Sequence, residues 1–120
     1  MTNTRPRLGT VYYRVPRERF DEFARFFGEQ LGLDTKFRDG ADWIAFDAGG
    51  VTLALEGADG GEWEGPLLAL RVEDAEAVRA DLERHDVPVT AVVVGGHERR
   101  FHLHAPWGER LSAYQPGTGR

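Results

Sequence analysis

One pattern occurs twice in this chain, about 57 residues apart, and it limits the possible folds more than any single motif. Val15 and Val72 are 57 residues apart, as are Phe46 and Leu103, while Glu56 and Ser112 are 56 apart. Each copy reads as a strand, an amphipathic helix and three further short strands. The repeat lies in hydropathy and turn residues rather than in residue identity. At 120 residues the chain is one domain's worth. Each copy is therefore a βαβββ half of that domain.

In the first copy, residues 8–15 alternate with the period of two that a strand requires. Val11, Tyr13 and Val15 share one face, and Thr10, Tyr12 and Arg14 share the other. Pro16 ends this run and suits the entry to a helix. The spacing of Phe20, Phe23, Phe27 and Leu31 predicts a helix over residues 17–31 with those side chains in the core. Gly32 supplies its left-handed C-terminal cap, and Leu33 folds back on the last turn. Strands follow over residues 34–38, 43–47 and 51–56, separated by turn residues. Residues 57–65, GADGGEWEG, form a Gly-rich acidic linker too short and too acidic to cradle phosphate.

The second copy repeats this order. Residues 67–72 read as a strand, Asp74 as an N-cap and residues 75–85 as a helix with Val78 and Leu82 inward. Residues 88–94 read as a strand. The copy closes on a hairpin, FHLHAPWGERLSAY, from Phe101 to Tyr114. Its apolar face carries Phe101, Leu103, Leu111 and Ala113. Its other face carries His102, His104, Arg110, Ser112 and Tyr114. Pro106 and Gly108 suit the turn. His85 reads as a helix-end residue favoured by the dipole and His97 as a loop residue.

Composition narrows the function. A net charge of −5, with no basic stripe, argues against a nucleic-acid partner. Lys36 is the one lysine, so the basic side chains are almost all arginine, which forms forked bonds to carboxylates and phosphates. Without cysteine there is no disulfide, thiolate metal site or cysteine nucleophile. No apolar run reaches the length of a membrane span, and MTNTRPR lacks a signal-peptide core. A cytoplasmic location is the expectation.

Two βαβββ copies, with Leu31-Gly32-Leu33 after the first helix and Ala105-Pro106-Trp107-Gly108 before the last strand, resemble the vicinal oxygen chelate superfamily. This is the glyoxalase, bleomycin-resistance and extradiol-dioxygenase group. The resemblance covers about residues 8–116, with APWG where members usually have DPDG. It implies an α+β fold of two βαβββ modules, forming curled mixed sheets with the helices outside. The modules are then residues 8–56 and 66–116, joined by the linker 57–65. In this superfamily paired modules enclose a cavity, often across a homodimer. Metal-dependent members take one ligand from the first and one from the fourth strand of each module. Here those positions hold Gly9 or Thr10, Glu56, Leu67 and Ser112. Only Glu56 is retained, so the resemblance implies neither the usual metal nor another cofactor.

The polar strand faces hold the candidate site. Glu56, His102 and His104 are the candidate acid–base groups. Tyr12, Arg14, Trp43, Arg71, Arg110, Ser112 and Tyr114 are candidate ligand contacts, with aromatic walls and with arginines suited to an anionic group. The first reading is a homodimeric, metal-independent module that binds an aromatic or anionic small molecule in a cup-shaped cavity, for resistance or sequestration. The second is a metal-independent enzyme of a biosynthetic or detoxification step, working through Glu56 or His102 and His104. A third is a metal-dependent lyase or dioxygenase with a relocated site of His102, His104 and Glu56.

Overall fold

The structure, a computed structural model, describes residues 5–117. Contacts divide the chain into two compact units, one of residues 10–67 and one of residues 68 onward together with residues 5–9. Both are α+β.

The first unit carries most of β1 (Arg7–Pro16), with α1 (Phe20–Arg25), β2 (Asp34–Asp39), β3 (Trp43–Asp47) and β4 (Thr52–Ala58). Its strands lie in the order β2-β3-β4-β1, with β1 parallel to β4 and the other pairs antiparallel. Alternation puts Val15, Ile44, Phe46 and Leu55 on the helix side, where they pack with Phe20 and Ala24 as the core. On the opposite face Ala45 and Ala54 pair across β3 and β4 and are also buried.

The predicted first helix is present but not uniform. A 3₁₀ turn, Arg17–Arg19, precedes α1, and a π-helical turn, Phe26–Gln30, follows it. The Leu31 N–H donates to the Phe26 carbonyl at 2.9 Å, and the Leu33 N–H to that of Phe27 at 3.0 Å. The wider turn shifts the helical phase. Leu31 is therefore 57% exposed, against the expectation that it joins the core. Phe23 and Phe27 do pack on the core, and Leu33 folds back onto it after Gly32, whose φ is 80°.

The second unit carries the second half of β5 (Glu64–Arg71), with α2 (Ala75–Arg84), β6 (Val93–Val94), β7 (Glu98–His104) and β8 (Arg110–Pro116). The order is β5-β8-β7-β6, with β5 parallel to β8. Asp74 caps α2 by accepting from the Ala77 N–H at 3.1 Å. At the other end His85 Nδ1 lies 2.8 Å from the Asp81 carbonyl. Val72, Ala75, Phe101 and Ala113 form the core, with Val78, Leu82 and Leu103 against it. The hairpin register pairs Phe101 with Ala113, Leu103 with Leu111 and His102 with Ser112, as alternation requires. The Gly108 N–H closes the turn onto the Ala105 carbonyl at 2.8 Å.

The strand expected over residues 88–94 shrinks to Val93–Val94 and a single bridge between Val89 and Leu103. The cause is Thr90. Its backbone N–H donates to the His102 carbonyl, but its side-chain Oγ1 takes the returning bond from the His102 N–H, both at 2.9 Å. A side-chain oxygen that replaces the backbone acceptor interrupts the ladder.

Candidate functional site

The register of β1, β3 and β4 assembles four of the predicted residues in the first unit. Parallel pairing sets Arg14 beside Glu56, and antiparallel pairing sets Trp43 on the other flank of Glu56. Arg14 Nε lies 3.3 Å from Glu56 Oε1, and Arg14 Nη1 lies 3.8 Å from Glu64 Oε1. The rings of Tyr12 and Trp43 approach to 6.1 Å at a 49° tilt. Tyr12 is buried, whereas Arg14 and Glu56 are each about two-fifths exposed. An ion pair this exposed adds at most about 1 kcal/mol to stability. Its importance is chemical: two tilted rings lie beside a guanidinium held by Glu56 and, at longer range, by Glu64.

In the second unit, His102 and Ser112 face each other across β7 and β8, with Ser112 Oγ 3.1 Å from His102 Nδ1. Ser112 is 8% exposed, so this contact is largely shielded from water. His104 pairs with Arg110 nearer the turn and is exposed. Tyr114 pairs with Arg71 on one side and Arg100 on the other. Tyr114 also explains the glycine at position 9. A Cβ on Gly9 would lie 2.0 Å from the Tyr114 hydroxyl oxygen and 2.9 Å from its ring carbon. The tyrosine thus occupies the space a side chain at position 9 would need.

The donor set at the superfamily's metal positions does not fit a divalent metal. At the first position Gly9 has no side chain and Thr10 only a neutral hydroxyl; Leu67 is a buried hydrocarbon, and Ser112 is bonded to His102. Among the described residues no three His, Asp or Glu side chains group as a metal site needs. Glu56 is committed to Arg14.

Two features escaped sequence reasoning. Arg17 braces the rim of the first unit, donating to Asp42 Oδ1 at 2.6 Å and Asp59 Oδ1 at 3.0 Å. Pro16-Arg17 carries no signal for partners 25 and 42 residues away. The other feature is Trp63, an exposed aromatic in an acidic Gly-rich segment, which read as linker but stacks toward Tyr13 at 6.0 Å.

No family model matches the chain. A protein of uncharacterised function from Mycolicibacterium smegmatis is 34% identical over 104 residues, covering 82% of this chain and 86% of that protein. Among solved structures, a methylmalonyl-CoA epimerase superposes with a TM-score of 0.78 at 18% identity, covering 97% of this chain and 100% of the epimerase. A glyoxalase/bleomycin resistance protein/dioxygenase superfamily member from Vibrio splendidus gives 0.65 at 17% identity, covering 93% and 99%. No helix among the described residues is long and apolar enough to cross a membrane. The chain belongs to one family with the Mycolicibacterium smegmatis protein, and its fold is that of the vicinal oxygen chelate superfamily.

Proposed function

We propose that this protein is a metal-independent small-molecule-binding member of the superfamily, taking an aromatic ligand with an anionic group. The carrying observation is the Tyr12–Trp43 ring pair beside the Arg14–Glu56 ion pair. The rings offer flat apolar contact, and Arg14 offers a forked donor to a carboxylate or phenolate. Arg71, Arg110, Ser112 and Tyr114 are proposed as further ligand contacts. The proposal includes a homodimer and a cytoplasmic role in resistance or sequestration.

An anionic ligand competes with Glu56 for Arg14, and this sets the sign of the tests. With 2-naphthoate as probe, Arg14→Gln is expected to weaken binding by about 1.5–3 kcal/mol, the scale of a hydrogen bond to a charged group. Glu56→Gln keeps the shape, leaves Arg14 only its longer contact to Glu64 and is expected to leave affinity equal or higher. Calorimetry that shows no loss in Arg14→Gln sinks the ligand assignment.

The contact between Ser112 and His102 favours a second reading, in which His102 moves a proton. In that reading His102→Asn lowers turnover roughly 10²–10⁴-fold with affinity little changed. The same loss in Glu56→Gln would assign the proton transfer to Glu56, and in His104→Asn to His104. Metal content separates both readings from a relocated metal site. Chelator treatment is expected to leave 2-naphthoate affinity unchanged, and elemental analysis showing about one iron, nickel or zinc per chain would overturn metal independence.

A further inference from the structure

The helix side of the first unit holds a groove of about 430 Å³ that the proposed ligand face does not use. Its wall is a run of rings in sequence: Trp63 to Tyr13 at 6.0 Å, Tyr13 to Phe27 at 6.3 Å, and Phe27 to Phe26 edge-on at 5.0 Å. Phe23 completes the wall, and Glu22 and Gln30 stand at the rim. Phe26 and Phe27 are adjacent on the helix, so Phe26 is turned away from the core while Phe27 stays on it. Trp63 is 52% and Phe26 45% exposed, so two large rings flank the opening in water.

Charge decides what such a wall accepts. No lysine or arginine lines the groove, and its one charged lining residue is Glu22. Ring faces carry negative quadrupole density and attract cations. The protein already uses this wall so: the Arg19 guanidinium sits 5.2 Å from the Phe23 ring centroid. Arg19 donates to both Glu22 oxygens, at 3.0 and 2.9 Å. That hydrogen bonding, with the charge attraction, holds the Glu22 carboxyl below the usual carboxylate range. Each carboxylate oxygen accepts one of these bonds and has a further lone pair to accept with. The segment that carries Trp63 has no basic residue; of its acids, Asp59 pairs with Arg17 and Glu64 with Arg14, which leaves Glu62 beside Trp63 in sequence.

We infer that this aromatic groove is a second binding site, for an aryl-bearing organic cation. It goes beyond the anionic ligand proposed for the opposite face, and the two sites have opposite charge preference. An anion here would meet ring faces and the Glu22 carboxylate, and the one cation beside the wall, Arg19, is already engaged by Glu22 through two hydrogen bonds.

The test uses tetraphenylphosphonium and its anionic counterpart of like shape, tetraphenylborate, each titrated calorimetrically into the whole protein at low salt. Tetraphenylphosphonium is expected to bind at least tenfold tighter than tetraphenylborate. Trp63→Ala is expected to weaken it about tenfold and Glu22→Gln about threefold. Both side chains are exposed, so the fold survives their loss, which circular dichroism checks. Arg14→Gln is expected to leave it unchanged, which separates this site from the proposed function. Equal or tighter binding of tetraphenylborate overturns the charge assignment. Affinity unmoved by Trp63→Ala overturns the location. Concentration-dependent burial of Trp63 without ligand, seen by fluorescence and light scattering, assigns the groove to an interface between copies and overturns the proposal.

Discussion

Phe46→Ala is expected to destabilise the protein by about 3–5 kcal/mol, the largest effect of any single truncation considered. Phe46 has no exposed surface and lies among Val15, Phe20, Ala24, Ile44 and Leu55. Phe27 tilts toward it at 6.0 Å. Gly28 backs it closely: a Cβ there would come within 3.2 Å of the Phe46 ring. The space left by the ring is bounded by strands and by the helix, so it cannot collapse fully, and the residual cavity adds to the lost transfer energy. Domains of this kind are held by roughly 5–15 kcal/mol, so the variant stands near the limit of folding. Urea denaturation checks this, and a loss below about 1.5 kcal/mol would show that Phe46 is not central to the first core. Phe101→Ala is the matched experiment in the second unit, whose core is separate.

Gly57→Ala is the second large effect, expected near 3 kcal/mol, the upper part of the usual cost of forcing atoms into a packed site. The backbone at Gly57 is not left-handed, so strain in φ is not the cause. The obstacle is steric, since an added Cβ would lie 1.9 Å from the Ala41 carbonyl oxygen. That carbonyl cannot retreat freely. The Gly57 N–H donates to the neighbouring Asp42 carbonyl at 3.0 Å, and Arg17 Nη1 holds the Asp42 carboxylate at 2.6 Å. A methyl group must break this brace or push β4 out of register. Either outcome moves Glu56, the preceding residue, away from Arg14. The variant should therefore lose roughly 10 °C in Tm together with a changed affinity at the proposed ligand face. A change below about 1 kcal/mol would mean that the turn at Ala41 yields, and the brace is not rigid.

The two glycines that matter most here illustrate the limit of pattern reading. Gly57 reads as the start of a flexible linker, yet it lies within β4, which runs on through Ala58. Its glycine identity serves a close approach of two backbone segments that are 16 residues apart. Gly9 is one of the two positions, with Thr10, that match a metal ligand of the superfamily, and its lack of a side chain makes room for Tyr114, more than 100 residues later. Neither requirement leaves a trace in the local sequence.

The faces of the strands, the cap at Asp74, the Ala105–Gly108 turn and the duplication were all legible in the chain. Each rests on a local rule: a period of two, a side-chain oxygen three residues before an amide, a proline and a glycine in a tight turn. The tertiary structure alone decided the rest. Parallel pairing of β1 with β4 brings Arg14 to Glu56 across 42 residues and so turns a lone carboxylate into half of an ion pair. The π-helical turn rotates Leu31 into solvent, and Thr90 substitutes its hydroxyl for a backbone acceptor and ends a strand early. Trp63 leaves its acidic segment to close a row of rings. Periodicity records which side of an element faces apolar surroundings, because that is decided within one or two turns of chain. Register, helical phase and the partner of a given charge are set by packing between segments that the sequence separates, so only the folded chain contains them.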